Sequence, residues 1–92
     1  LRQFGLQLRP LQPVERLAIG SAVGLLVEST SGPSQAAGMQ TGDVVLSING
    51  KPVATVDQAR AVVKNAGNTV ALLVQRGGER LFVPLSPKAP PR

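Results

Sequence analysis

Short apolar runs bounded by glycine, proline and serine set the reading of this chain. Gln3-Phe4-Gly5-Leu6-Gln7-Leu8-Arg9 alternates or runs apolar around a glycine, which predicts a strand over 3–9 with Leu6 and Leu8 on one face. Pro10 has no N–H to give a ladder, so it ends that strand or confines it to a sheet edge. Pro13 opens Val-Glu-Arg-Leu-Ala-Ile as a short helical turn closed by Gly20. Residues 23–28 form an apolar run that predicts an inner strand, with breakers over 29–33. A short helix over 34–37 precedes a strand over 43–48, and Asn49-Gly50 then supplies a tight turn before an extension at Pro52-Val53. Thr55-Val56-Asp57-Gln58 is a capping-box pattern that opens the main helix, which runs to about Ala66 with Gly67 as its left-handed stop. Strands over 70–76 and 80–85 flank Gly77-Gly78 as a hairpin. No internal repeat is evident.

Composition narrows the chemistry. Ninety-two residues suit one domain. Hydrophobic residues make up 42% of the chain and aromatics 2%, so Val, Leu, Ile and Ala must build the core. Cysteine and histidine are both absent, which removes disulfides, thiolate catalysis, a Ser-His-Asp triad and the usual imidazole metal ligands. Glu15, Glu28, Asp43, Asp57 and Glu79 stand singly, without a spacing that suggests acid–base work or a calcium loop. No catalytic residue, metal site or cofactor is expected. The net charge of +5 is scattered, and Phe4 and Phe82 are the only rings for base stacking, so a solvated basic surface is preferred to a nucleic-acid interface. No apolar run approaches the roughly twenty residues needed to span a bilayer, so no membrane insertion is expected. The chain begins at Leu1 without methionine and reads as a piece of a longer protein. Residues 1–86 form the expected domain, and 87–92 a disordered proline-rich tail.

The segment Ser34-Gln35-Ala36-Ala37-Gly38-Met39-Gln40-Thr41-Gly42-Asp43-Val44-Val45-Leu46-Ser47-Ile48-Asn49-Gly50-Lys51 resembles the signature segment of a PDZ domain. The order strand, strand, short helix, strand, longer helix, hairpin is similar to the bacterial, permuted form. Gln75-Arg76-Gly77-Gly78 and the helix from Thr55 look most like the C-terminal, second PDZ domain of HtrA-type, DegP-like periplasmic serine proteases. The resemblance implies a mostly β, α+β fold: a partly open five- to six-stranded sandwich or barrel capped by one short and one longer helix. It implies a periplasmic setting in protein quality control and a serine endopeptidase as parent. The fragment itself has no Gly-Asn-Ser-Gly segment and no histidine with which to cleave a peptide.

Members of this family bind a partner's C-terminus through an X-Φ-Gly-Φ loop, which Gln3-Phe4-Gly5-Leu6 matches. The N–H groups of Phe4, Gly5 and Leu6 would converge on the carboxylate because a glycine accepts unusual φ and ψ, with Arg2 adding charge. The peptide would add antiparallel beside Leu6 to Arg9. Val56, Arg60 and Val63 fall at i, i+4 and i+7, which makes one helical face the opposing wall. Leu6, Leu8 and Val63 would line an apolar terminal pocket. Val56 stands where Ser/Thr-selecting members carry histidine, which favours an apolar residue two places upstream, and Arg60 would favour an acidic ligand residue. The same apolar residues also suit plain core positions. Expected partners are C-terminal or extended segments of misfolded envelope proteins. Two alternatives stand beside this one: an assembly module contacting other domains of the same protease oligomer, and a PDZ domain from another envelope protease or a secretion component.

Overall fold

The computed structural model describes residues 1–67 and 69–86. The expected tail over 87–92 lies outside the described residues. A 3-10 turn over Arg2–Phe4 leads into β1 (Leu6–Pro10), followed by α1 (Pro13–Ile19), β2 (Leu25–Thr30), α2 (Gly32–Ala36), β3 (Val44–Ile48) and β4 (Lys51–Pro52). α3 (Val56–Lys64), β5 (Val70–Arg76) and β6 (Glu79–Leu85) complete the order. The strands form one open six-stranded antiparallel sheet in the order β1-β2-β3-β5-β6, with β4 paired to β3. Among the described residues, β1 and β6 each pair with a strand on one side only, and the other edge of β1 lies beside α3.

Turn chemistry placed the elements well. Asn49 and Gly50 take φ of 51° and 79°, and Asn49 clamps β5 through its own N–H and its Oδ1, both 2.8 Å from Ala71. Thr55 Oγ1 accepts the Gln58 N–H at 3.1 Å, and Gln58 Oε1 accepts from the Thr55 N–H at 3.3 Å, closing the capping box. Gly77 turns the β5–β6 hairpin at φ 61°.

Several boundaries move, each for a local reason. The first strand starts at Leu6 rather than residue 3, because Gln3 and Phe4 belong to the 3-10 turn that Gly5 closes. β2 runs to Thr30, since Ser29 and Thr30 pair with Gln7 and Leu6 instead of breaking the strand. Pro10 remains paired with Leu25 on the edge strand, where its missing N–H costs no ladder bond. α2 begins at Gly32, with Ser31 as its cap, rather than at Ser34. α3 stops at Lys64, with Asn65 as its cap, short of Ala66.

Two apolar layers lie on the two faces of the sheet. The larger joins Phe4, Leu6, Leu25, Val27, Val45, Ile48, Leu72 and Val74 to Ala59 and Val63 of α3. The smaller collects Leu11, Val44 and Leu46, with Ile19, Leu26 and Leu73 against it. Val45 and Ile48 are three positions apart, yet both enter the larger layer. A register shift between Val45 and Ser47 makes this possible: two steps along β3 face one along β5, which resets the period of two. Buried Asp43 is tied to Arg76 by bonds of 2.9 and 2.8 Å, and Arg76 also reaches the Gly38 carbonyl at 2.9 Å. Burial alone would raise the Asp43 pKa; the Arg76 and Gln40 hydrogen bonds outweigh it and leave the carboxyl below its ordinary value. This pair pins the loop before β3 to the end of β5.

Candidate functional site

Between β1 and α3 lies an open cleft of about 570 Å³. Gly5, Leu6, Gln7 and Leu8 line one side, Val56 and Arg60 the other, with Leu1 and Arg2 at the end where the strand begins. Alternation along β1 sends Leu6 and Leu8 toward the larger apolar layer, while Gln7 is exposed. On β2, Glu28 is the extra residue where β1 takes one step and β2 takes two, and it too borders the cleft.

The nine residues expected at the site separate into three groups. Arg2, Gly5, Leu6, Leu8, Val56 and Arg60 all border the cleft. Gln3 faces a neighbouring depression that it shares with Leu1, Arg2, Arg60 and Lys64. Phe4 and Val63 do not border the cleft: they are 1% and 5% exposed, inside the larger layer. Val63 lies on nearly the same helical face as Val56 but about 10 Å further along the axis, so the two differ in where they stand along α3: Val56 reaches the cleft at the start of the helix, and Val63 packs inside the larger layer.

The loop itself is a left-handed turn. Gly5 sits at φ 70°, ψ 27° and closes the 3-10 turn with paired bonds: the Gly5 N–H donates to the Arg2 carbonyl at 3.0 Å and the Leu6 N–H to the Leu1 carbonyl at 3.1 Å. The Phe4 N–H donates to the same Leu1 carbonyl at 3.2 Å, and the Leu1 amino group donates to the Leu6 carbonyl at 2.7 Å. All three amides expected to converge on a carboxylate therefore already have acceptors inside the turn. The Leu1 backbone meets Leu6 as an added strand would, exchanging a donor and an acceptor with the same residue.

Behind the loop, the Gly5 carbonyl accepts from the Ser31 N–H at 2.9 Å, from Ser34 Oγ at 3.1 Å and from Ser31 Oγ at 3.4 Å. A Cβ on Gly5 would stand 1.9 Å from the Ser31 carbonyl oxygen, so glycine is required both for the positive φ and for the close approach of α2. Leu1, Ser31 and Ser34 escaped the sequence reading. Ser34 acts across 29 positions, and no local pattern announces such a contact.

The mouth of the loop is cationic. Arg60 stays on the rim, its side chain 68% exposed, with Asp57 at 3.6 Å. Such a site offers an anion a basic rim, an edge strand for backbone pairing and an apolar wall. Among the described residues, no group of acidic side chains is placed to hold a metal ion.

Comparison with known proteins agrees with this geometry. The family model for the PDZ domain matches residues 27–76. A probable periplasmic serine endoprotease DegP-like protein of Hahella chejuensis is 37% identical over 85 residues, covering 89% of this chain and 18% of that protein. A putative zinc metalloprotease of Nostoc is 36% identical over 77 residues, covering 78% of this chain and 21% of that one. The chain thus spans about a fifth of the length of these curated relatives. The crystal structure of the HtrA3 PDZ domain bound to a phage-derived ligand, FGRWV, superposes with a TM-score of 0.78 at 25% identity, covering 90% of this chain and 81% of that one. With the family model covering more than half of the sequence and a PDZ domain superposing on the open sheet, the chain belongs to the PDZ domain family.

Proposed function

We propose that this domain is a noncatalytic peptide-binding module of an HtrA-type envelope serine protease, taking C-terminal tails or exposed β segments of substrates by strand addition to β1. The observation that carries this reading is the edge of β1 that no strand covers among the described residues, which runs from the Gly5 loop along α3 and is met only at Leu6, by the Leu1 backbone. The antiparallel ligand would exchange backbone bonds with Leu6 to Arg9. Its terminal side chain would rest against Leu6 and Leu8, and the residue two places upstream would meet Val56, so both are apolar. Arg60 and Arg2 add charge attraction for the carboxylate or for an acidic neighbour. The carboxylate takes the place of the Leu1 carbonyl as acceptor for Phe4 and Leu6, exchanging a neutral acceptor for an ionised one.

The likeness to a DegP-like periplasmic protease along 89% of the chain supports a serine endopeptidase as parent and the periplasm as its setting. The pentapeptide held by the HtrA3 PDZ domain supports tail binding. Contacts of this size suit transient capture at micromolar dissociation constants, about −7 to −8 kcal/mol.

One observation favours a second reading, in which the domain serves assembly of the protease oligomer and the groove stays idle: its carboxylate-binding amides are already satisfied within the turn. Titration with free-carboxylate peptides varied at the last three positions, beside amidated controls, separates the two. Micromolar binding to apolar-ended tails that disappears on amidation supports capture. The absence of binding across the set refutes capture and supports assembly.

A further inference from the structure

We propose that Ser34, on α2, is a positioning residue for the carboxylate-binding loop, aiming the Leu6 N–H into the groove by holding the Gly5 carbonyl behind it. The inference rests on the tail-binding reading given above. Its geometry begins with the Gly5–Leu6 peptide unit, which is trans like every other in the described chain. In a planar trans peptide the C=O and N–H point in opposite directions. Whatever fixes the Gly5 oxygen on one side therefore fixes the Leu6 hydrogen on the other. On the α2 side, the oxygen is held by the Ser31 N–H at 2.9 Å and Ser34 Oγ at 3.1 Å. On the groove side, the Leu6 N–H meets the Leu1 carbonyl at 3.1 Å, the place a ligand oxygen takes in the proposed complex.

Ser34 suits this task better than the more exposed Ser31 hydroxyl, which lies 3.4 Å from the same oxygen. Among the described residues, Ser34 is one of two buried polar ones, at 0% exposure, so water does not compete for its proton. That single proton is shared between the Gly5 carbonyl and the Ser31 carbonyl, also at 3.1 Å, while its oxygen accepts from the Ser31 N–H at 3.3 Å. The hydroxyl thereby ties the start of α2 to the loop. Alanine at this position would keep the helix and nearly the same volume but leave the Gly5 carbonyl with one fewer donor. The peptide plane, held then by Ser31 alone, would rock more widely, and the Leu6 N–H would meet a carboxylate off its axis.

The test measures the affinity of Ser34→Ala for a free-carboxylate tail and for its amidated twin. Loss of about one hydrogen bond's worth of alignment weakens the free-carboxylate tail by about three- to tenfold. Binding of the amidated tail changes less, so discrimination between the two narrows. A purely structural role would lower the melting temperature and weaken both peptides by the same factor, and that result overturns the proposal, as does unchanged discrimination. Should Ser34→Ala fail to fold, Ser34→Cys, a weaker donor of similar size, has to narrow the discrimination while Ser34→Thr keeps it. If Cys and Thr both discriminate as the parent does, the proposal fails. Failure of the parent chain to bind any tail would instead sink the tail-binding reading, which keeps the two outcomes distinct.

Discussion

Replacing Gly5 with alanine tests whether the loop and α2 are one mechanical unit. Two costs arise. Holding an L-residue near φ 70° costs about 1–2 kcal/mol. The new Cβ would also meet the Ser31 oxygen at 1.9 Å, and moving it out to the 3.0 Å that real Cβ atoms respect displaces loop or helix by about 1.1 Å. Such a shift breaks the bonds from Ser31 N and Ser34 Oγ to the Gly5 carbonyl, at about 1 kcal/mol each. Reduced freedom of the unfolded chain returns about 0.4–1 kcal/mol. The expected net loss is about 3 kcal/mol, a large share of the roughly 5–14 kcal/mol that a chain of this length has in total.

Gly77→Ala is the internal control, because Gly77 has a similar φ of 61° with nothing within 4 Å of its Cβ position. It incurs only the backbone term, about 1 kcal/mol. Urea unfolding followed by circular dichroism gives both values. At roughly 4–8 °C per kcal/mol, the two variants should melt about 8–16 °C apart. If they unfold within about 0.5 kcal/mol of one another, the clash with Ser31 does not restrict the loop and the reasoning fails. Unchanged tail affinity in Gly5→Ala would refute the role of the loop even if its stability falls.

Other expectations address the groove and the chain's charges. Val63→Ala removes two buried carbons and should cost about 1.5 kcal/mol of stability at about 0.8 kcal/mol per carbon, whereas Leu8→Ala and Val56→Ala, on the half-buried wall, should weaken tail binding more than they lower the melting temperature. The reverse ranking in parallel calorimetry and titration would show that groove and core have been confused. The melting temperature should be nearly level from pH 7 to 5 and fall below about 4.5. Glu15 titrates near 2 instead of 4.5, held there first by the Arg9 side chain and then by the Gln12 N–H. Asp43 is also depressed, so both carboxylates contribute stability above their unfolded pKa values that is lost as pH falls through the folded ones. A melting temperature unchanged down to pH 2.5 would contradict this.

Much of the fold was legible because its signals are short-range. Asn49-Gly50, the Thr55–Gln58 capping box and the Gly77-Gly78 hairpin each act within about four residues, so residue identity alone determines the backbone there. The apolar runs then placed the strands to within two or three positions, while the 3-10 turn that Gly5 closes took residues 3 and 4 out of the first expected strand. Other features depended on partners distant in sequence. Gly5 is held from Ser31 and Ser34, 26 and 29 positions away, and Asp43 from Arg76, 33 positions away. The register shift near Leu46 sends Val45 and Ile48 to one face against the simple period of two, and the course of α3 along the sheet puts Val63 in the core while Val56, one end of the same face, reaches the groove. Local sequence chooses the conformation of each segment; the direction in which its side chains and carbonyls finally point is decided by what the sheet brings up against them.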